Sequence, residues 1–163
     1  MKLFAPISLP LFLLDQWTKW LVRTNLELYS GLTVIPGFFD LVYVTNTGAA
    51  FGSFKDRNWF FVVLSIVTLA VLIVFYVRGA FRDVWGRWGL ALLAGGILGN
   101  LTDRILHQHV IDFLYFYVGE NHWPAFNVAD SCICVASALF MIHTFRENRR
   151  ATQARDSDQP ALS

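Results

Sequence analysis

The sequence predicts an all-α membrane protein, a four-transmembrane-helix bundle with a small extracytoplasmic β-sheet and an interfacial outer loop. Three observations predict it. The 163 residues are 55% hydrophobic and only 15% charged, whereas charged residues make up about 25% of an ordinary soluble domain. Four apolar stretches, about 3–22, 59–77, 85–105 and 126–145, each approach the ~20 residues needed to cross ~30 Å of hydrocarbon. Between the first two, Val34, Ile35, Phe38, Phe39, Leu41, Val42, Tyr43 and Val44 favour extended backbone, broken by Pro36, Gly37 and Gly48. The 13 Lys+Arg and 12 Asp+Glu nearly cancel, so the chain has no basic footprint for nucleic acid.

The first stretch opens on Met1 and Lys2 but has no small-x-small cleavage site. It also carries Asp15, Gln16 and Lys19, so it reads as a retained span rather than a signal peptide. The outer β segment covers about 24–58. A short basic loop, residues 79–86, makes the second and third helices antiparallel neighbours. The loop at about 107–124 holds Phe113, Tyr115, Phe116, Tyr117 and Trp123, an aromatic set expected at headgroup level. Residues 1–150 form a single membrane domain, and residues 151–163 read as a disordered cytoplasmic tail. Lys2, Arg78, Arg82, Arg87, Arg146, Arg149, Arg150 and Arg155 fall on one side, against Arg23, Lys55 and Arg57 on the other. Both termini should therefore face the cytoplasm. Cys132 and Cys134 are two apart in an apolar helix and point to nearly opposite faces, so they read as packing residues.

An ionisable side chain within a span costs at least a few kcal/mol, so each points to a function or to a buried partner. Asp15 and Lys19 are spaced i, i+4 and can pair on one face, as a structural ion pair or as part of a site. In the third helix Gly95 and Gly99 make a small-xxx-small face. Beyond them Asn100, Asp103 and Arg104 share a face near the outer end, where Asp103 can hold the Arg104 guanidinium. Asn127, Asp130, Cys134 and Ser137 form a weakly polar stripe on the fourth helix. Asp130 has no basic residue within a turn, and Asp112 is the carboxylate that antiparallel packing brings to a similar depth. Two such carboxylates can hydrolyse an amide, one taking a proton from water while the other, neutral, polarises the carbonyl. By spacing alone they are equally compatible with ordinary aspartates at helix ends.

Five blocks in order give the chain a resemblance to the prolipoprotein signal peptidases of type II, bacterial inner-membrane aspartyl proteases. They are Asp15-Gln16-Trp17-Thr18-Lys19, Asn46-Thr47-Gly48-Ala49-Ala50-Phe51-Gly52, residues 96–104, Val110-Ile111-Asp112-Phe113 and Phe126-Asn127-Val128-Ala129-Asp130. The resemblance implies that Asp112 and Asp130 are the catalytic dyad. It implies that Asn46, Asn100, Arg104 and Asn127 line the substrate site, with Asp15, Lys19 and Asp103 in support. It further implies a multi-pass inner-membrane protein with its active site near the outer face, acting as a monomer without cofactor or metal. The implied substrate is a diacylglyceryl-modified prolipoprotein, cut on the amino side of the lipidated cysteine.

Two other readings compete. Asp15, Asp103 and Asp130 could relay protons or cations in a non-enzymatic carrier, although the chain has no internal repeat of the kind transporters show. Alternatively His107, His109, Asp112 and His122 could gather round a metal ion, which would leave Asp130 without a role.

Overall fold

The structure is a computed structural model that describes residues 4–48, 57–81 and 83–158. Its helices are α1 (Phe4–Asn25), α2 (Asn58–Arg78), α3 (Val84–His107) and α4 (Val128–Asp158). The strands are β1 (Gly31–Ile35), β2 (Phe39–Asn46), β3 (Val110–Val118) and β4 (Asn121–His122). They pair antiparallel in the order β1-β2-β3-β4. Residues 49–56 of the expected outer segment lie outside the described residues, as do Lys2, Lys55 and Arg82.

Local chemistry sets the helix ends. At the end of α2, Gly79 takes the left-handed conformation with φ 61. Its N–H donates to the Tyr76 carbonyl, and Ala80 N–H to that of Phe75, closing the helix on carbonyls that would otherwise be orphaned. Asp83 caps α3 by accepting from Gly86 N–H at 2.9 Å. At the start of α4, Asn127 Oδ1 accepts from Asp130 N–H at 2.9 Å while Asp130 Oδ2 accepts from Asn127 N–H at 3.2 Å. This reciprocal cap ties the two side chains into one unit.

α3 is the central helix. Gly95 faces the Ser8 carbonyl of α1, and Gly96 faces the Ala129 carbonyl of α4. A side chain at either position would push a neighbouring backbone away, so these glycines permit the close approach of three helices. The inner half of α3 packs Leu90, Ala94 and Ile97 against Leu72 of α2. At the outer end Val22, Ile111 and Phe113 fasten the sheet to α1. On α2, by contrast, Trp59, Val63, Val67, Val71 and Val77 are all exposed; an apolar surface of this kind suits lipid.

Three helices are long and apolar enough to cross a membrane: α2, α3 and residues Val128–Gln153 of α4. α1, at 22 residues, has the length, but Asp15, Lys19 and Arg23 lower its apolarity, so the expected count of four spans rests on α1 alone. Two expectations are corrected. The stretch at 107–124 is not an interfacial loop: it holds β3 and β4, the aromatics alternating along a ladder with β2. Strand and membrane-belt aromatics look alike in composition, and only the pairing partner separates them. The tail expected to be disordered from 151 onward is helical as far as Asp158, the remainder lying outside the described residues. Arg, Ala and Gln favour continuing an existing helix, and Arg150 pairs with Glu147 at 2.9 Å one turn earlier.

Candidate active site

Two backbone devices bring Asp112 and Asp130 to one place. The first is the sheet. Asp112 pairs with Val44 in the β2–β3 ladder, and a register shift between Leu41 and Val44 bends β2 beside it. Asn46 lies two residues beyond Val44 on the same face, diagonal to Asp112, and its Nδ2 donates to Asp112 Oδ2 at 3.1 Å. The second is a bridge outside the strands, Leu114 to Phe126. Phe126 N–H donates to the Leu114 carbonyl at 3.0 Å, and the Phe126 carbonyl accepts from Phe113 and Leu114. That bridge lays the start of α4 along β3, so Asn127 Nδ2 reaches Asp112 Oδ1 at 2.7 Å.

Asn127 is fully buried and its amide is shared: Nδ2 also lies 3.2 Å from the Ile111 carbonyl and from Asn100 Oδ1. Asn100 in turn donates from Nδ2 to Asp130 Oδ1 at 2.7 Å. Each aspartate thus receives an amide donor at 2.7 Å and a second N–H donor. The electrostatics differ. Asp112 is 2% exposed; burial and then the neighbouring Asp130 charge push its carboxyl up to about 7.

Both carboxylates line a cavity of about 960 Å³ with Asn46, Gly48, Asn100, Arg104, Trp123 and Cys134 on its walls. Arg104 is buried; its Nη2 donates to the Gly48 carbonyl at 3.2 Å, and its guanidinium lies 4.8 Å above the Phe61 ring. Its backbone carbonyl accepts from Asn58 Nδ2 at 3.1 Å. Of the two cysteines, Cys132 is buried and Cys134 exposed, as their opposite faces predict.

Behind the cavity sits a buried ion network. Lys19 Nζ lies 2.9 Å from Asp15 and 3.0 Å from Asp103, and donates to Asn100 Oδ1 at 2.9 Å. Gln16 Nε2 lies 3.2 Å from both carboxylates. The expected pairing of Asp103 with Arg104 is corrected: Asp103 pairs with Lys19. Adjacent residues on a helix diverge by ~100°, so Asp103 faces α1 while Arg104 faces the cavity. Gln16, legible in the sequence as adding hydrogen-bonding capacity beside Asp15, also reaches Asp103; sequence spacing did not reveal Asn58 as a partner of this region, because its contacts cross between helices.

The residues of the metal reading do not converge. His107 Nε2 is 2.8 Å from the Arg23 guanidinium, and His122 stacks on Tyr115. Among the described residues, the group with ligand atoms close enough to share an ion is Asp83, His143 and Glu147. It lies at the opposite end of α3, where Asp83 already caps the helix and Glu147 pairs with Arg150.

The family model for signal peptidase (SPase) II matches residues 7–146. The chain belongs to the signal peptidase II family. A lipoprotein signal peptidase of Maridesulfovibrio salexigens is 46% identical, covering 88% of this chain and 94% of its own length. That of Symbiobacterium thermophilum is 43% identical, covering 85% and 91%. That of Alteromonas mediterranea is 37% identical, covering 98% and 90%. A solved bacterial membrane enzyme superposes with a TM-score of 0.84 at 29% identity, covering 91% of this chain and 90% of that one. A second gives 0.78 at 30% identity, covering 87% and 92%. Together with the apolar helices, these matches make the chain a bacterial membrane protein.

Proposed function

We propose that the chain is an intramembrane aspartyl endopeptidase that removes signal peptides from diacylglyceryl-modified prolipoproteins, cutting on the amino side of the lipidated cysteine. The observation that carries this is the convergence of Asp112 and Asp130, one on a strand and one on a helix, on one cavity and on one shared asparagine, Asn127. Asp112 holds the shared proton, because burial and the Asp130 charge disfavour its ionised form; Asp130 is the base. Asp130 takes a proton from water as the water oxygen attacks the scissile carbonyl, and Asp112 donates to the developing oxyanion. The tetrahedral carbon then expels the amine. The proton held by Asp130 passes to the leaving nitrogen, and Asp112 recovers its own as the carbonyl re-forms. One water is consumed per bond cut, and the two protons titrate with the pair rather than with either residue.

Asn46, Asn100 and Arg104, which line the cavity, act as the substrate-facing groups; Asn127, expected among them, is fully buried and holds the two aspartates instead. Amides and a guanidinium at an otherwise apolar depth can hydrogen-bond an extended peptide backbone, while the apolar walls accept acyl chains. Lipid on the cysteine fixes the bond at the membrane surface, at the depth of the dyad. In this arrangement α1 is the fourth span, both termini are cytoplasmic, the sheet lies on the outer face of the inner membrane, and the enzyme acts as a monomer. Arg78, Arg87, Arg146, Arg149 and Arg150, all at the end of the bundle opposite the sheet, support that orientation. No observation favours the carrier reading.

The test is cleavage of a diacylglyceryl-modified precursor by the purified protein in nanodiscs, beside Asp112→Asn and Asp130→Asn. Each variant should lose at least ~1000-fold in turnover, because an amide can neither donate as an acid nor take a proton from water. Retained turnover in either variant would remove that residue from the mechanism.

A further inference from the structure

Resting on the proposed dyad, the geometry points to Lys19 as a positioning residue that sets both the spacing and the proton distribution of the two aspartates without touching substrate. The network around it has a symmetry that a plain structural ion pair does not need. Lys19 Nζ bridges Asp15 and Asp103. The second oxygen of Asp15 accepts from Ala129 N–H at 2.8 Å, and Ala129 is the residue before Asp130. Asp103 Oδ2 accepts from Ile111 N–H at 3.1 Å, and Ile111 is the residue before Asp112. One ammonium therefore holds two carboxylates, and each carboxylate grips the backbone immediately ahead of one dyad member. The strand carrying Asp112 and the helix carrying Asp130 are clamped to a common point on α1.

A third contact reaches the dyad through a side chain. Lys19 donates to Asn100 Oδ1 at 2.9 Å. An ammonium has donors only, so it fixes the amide with its oxygen toward α1 and its NH₂ toward Asp130, where Nδ2 donates at 2.7 Å. Turned over, the amide would present an oxygen to Asp130 and stabilise that residue's protonated form instead. Lys19, with Asn127 Nδ2 3.2 Å from the same oxygen, thus ensures that Asp130 receives a donor and remains the base. Lys19, Asp15 and Asp103 are 2%, 1% and 2% exposed, so water cannot take over any of these contacts. Gly99 completes the arrangement, because a Cβ there would run into the Asp15 carboxylate.

A merely structural pair would change stability alone; a positioning residue changes kcat and its pH dependence. The experiment measures kcat, KM and the pH profile of cleavage in nanodiscs for wild type, Lys19→Met and Asp103→Asn, with thermal unfolding of each. Lys19→Met should lower kcat at least 100-fold with KM within about threefold, and should move a limb of the pH profile. Asp103→Asn is isosteric and leaves the Lys19–Asp15 pair in place; it should lower kcat about tenfold with a smaller shift in the same limb. If Lys19→Met does not fold, Asp103→Asn decides. Folded variants with wild-type kcat and pH profile, differing only in unfolding temperature, would overturn the positioning role. Wild type that does not cut the lipidated precursor at all would instead overturn the dyad reading on which it rests.

Discussion

The two halves of α3 are both buried, yet they hold the molecule together by different means. From Leu90 to Ile97 the helix packs apolar side chains and glycines against α1, α2 and α4. From Gly99 to Arg104 it buries an amide, a carboxylate and a guanidinium, each with partners on other elements. In lipid the apolar half gains little from leaving its surroundings, since hydrocarbon tails are as apolar as leucine; shape and close approach hold it. The polar half has no acceptable surroundings except its own partners, so losing one partner leaves a buried group uncompensated. Equal burial therefore does not mean equal sensitivity, and the proposed site draws on the half that tolerates change least.

Substitution, pH and packing can each sharpen that contrast. After the dyad variants, the largest effect is expected from Gly99→Val at the junction of the halves. Its side chain would displace the Asp15 carboxylate and press on Ala129, which lies 3.1 Å from a Cβ at that position. Breaking a buried ion pair destabilises a fold by about 3–5 kcal/mol, and displacing the carboxylate that grips Ala129 ahead of Asp130 should lower cleavage at least ~100-fold; activity within tenfold of wild type would mean the network tolerates displacement. Next is pH. With Asp112 pushed up from 3.8 to about 7, the folded protein binds more protons than the unfolded chain between those values. Its stability should therefore decline as pH rises through that window and level off above about 7, a slope that Asp112→Asn should remove in thermal unfolding. The singly protonated dyad persists through that window and is lost as pH rises past about 7, so kcat/KM should drop about tenfold per pH unit above ~7. The smallest effect is expected in the apolar half. Leu72→Ala should lower stability by roughly 1–3 kcal/mol and leave kcat/KM and the pH profile within twofold of wild type; a shifted profile would deny that the halves are independent.

Much of this arrangement was legible in the residues. The apolar stretches mark α2, α3 and the first part of α4, and the similar depth of two neighbouring helix ends is enough to bring Asp112 and Asp130 together. Their partners were less accessible. Asp103 and Arg104 share a stretch of sequence, but the helical turn between neighbours sends one to Lys19 and the other to Gly48, and no spacing rule shows which. Asp15 and Lys19 were legible as an i, i+4 pair, but their reach to Ala129 and Asn100 depends on helix–helix docking. β3 was hidden for another reason: Val110 to Val118 is so uniformly apolar and aromatic that its alternation is faint, and its partner lies more than sixty residues earlier in the chain.

The dyad is split between a strand and the first turn of α4, and α4 is the last element of the described chain. The two residues lie on different elements, so neither β3 nor α4 alone presents both. The proposed pair is therefore complete only when α4 is packed against the strand. On the proposed mechanism, hydrolysis becomes possible only once the start of α4 has docked along β3.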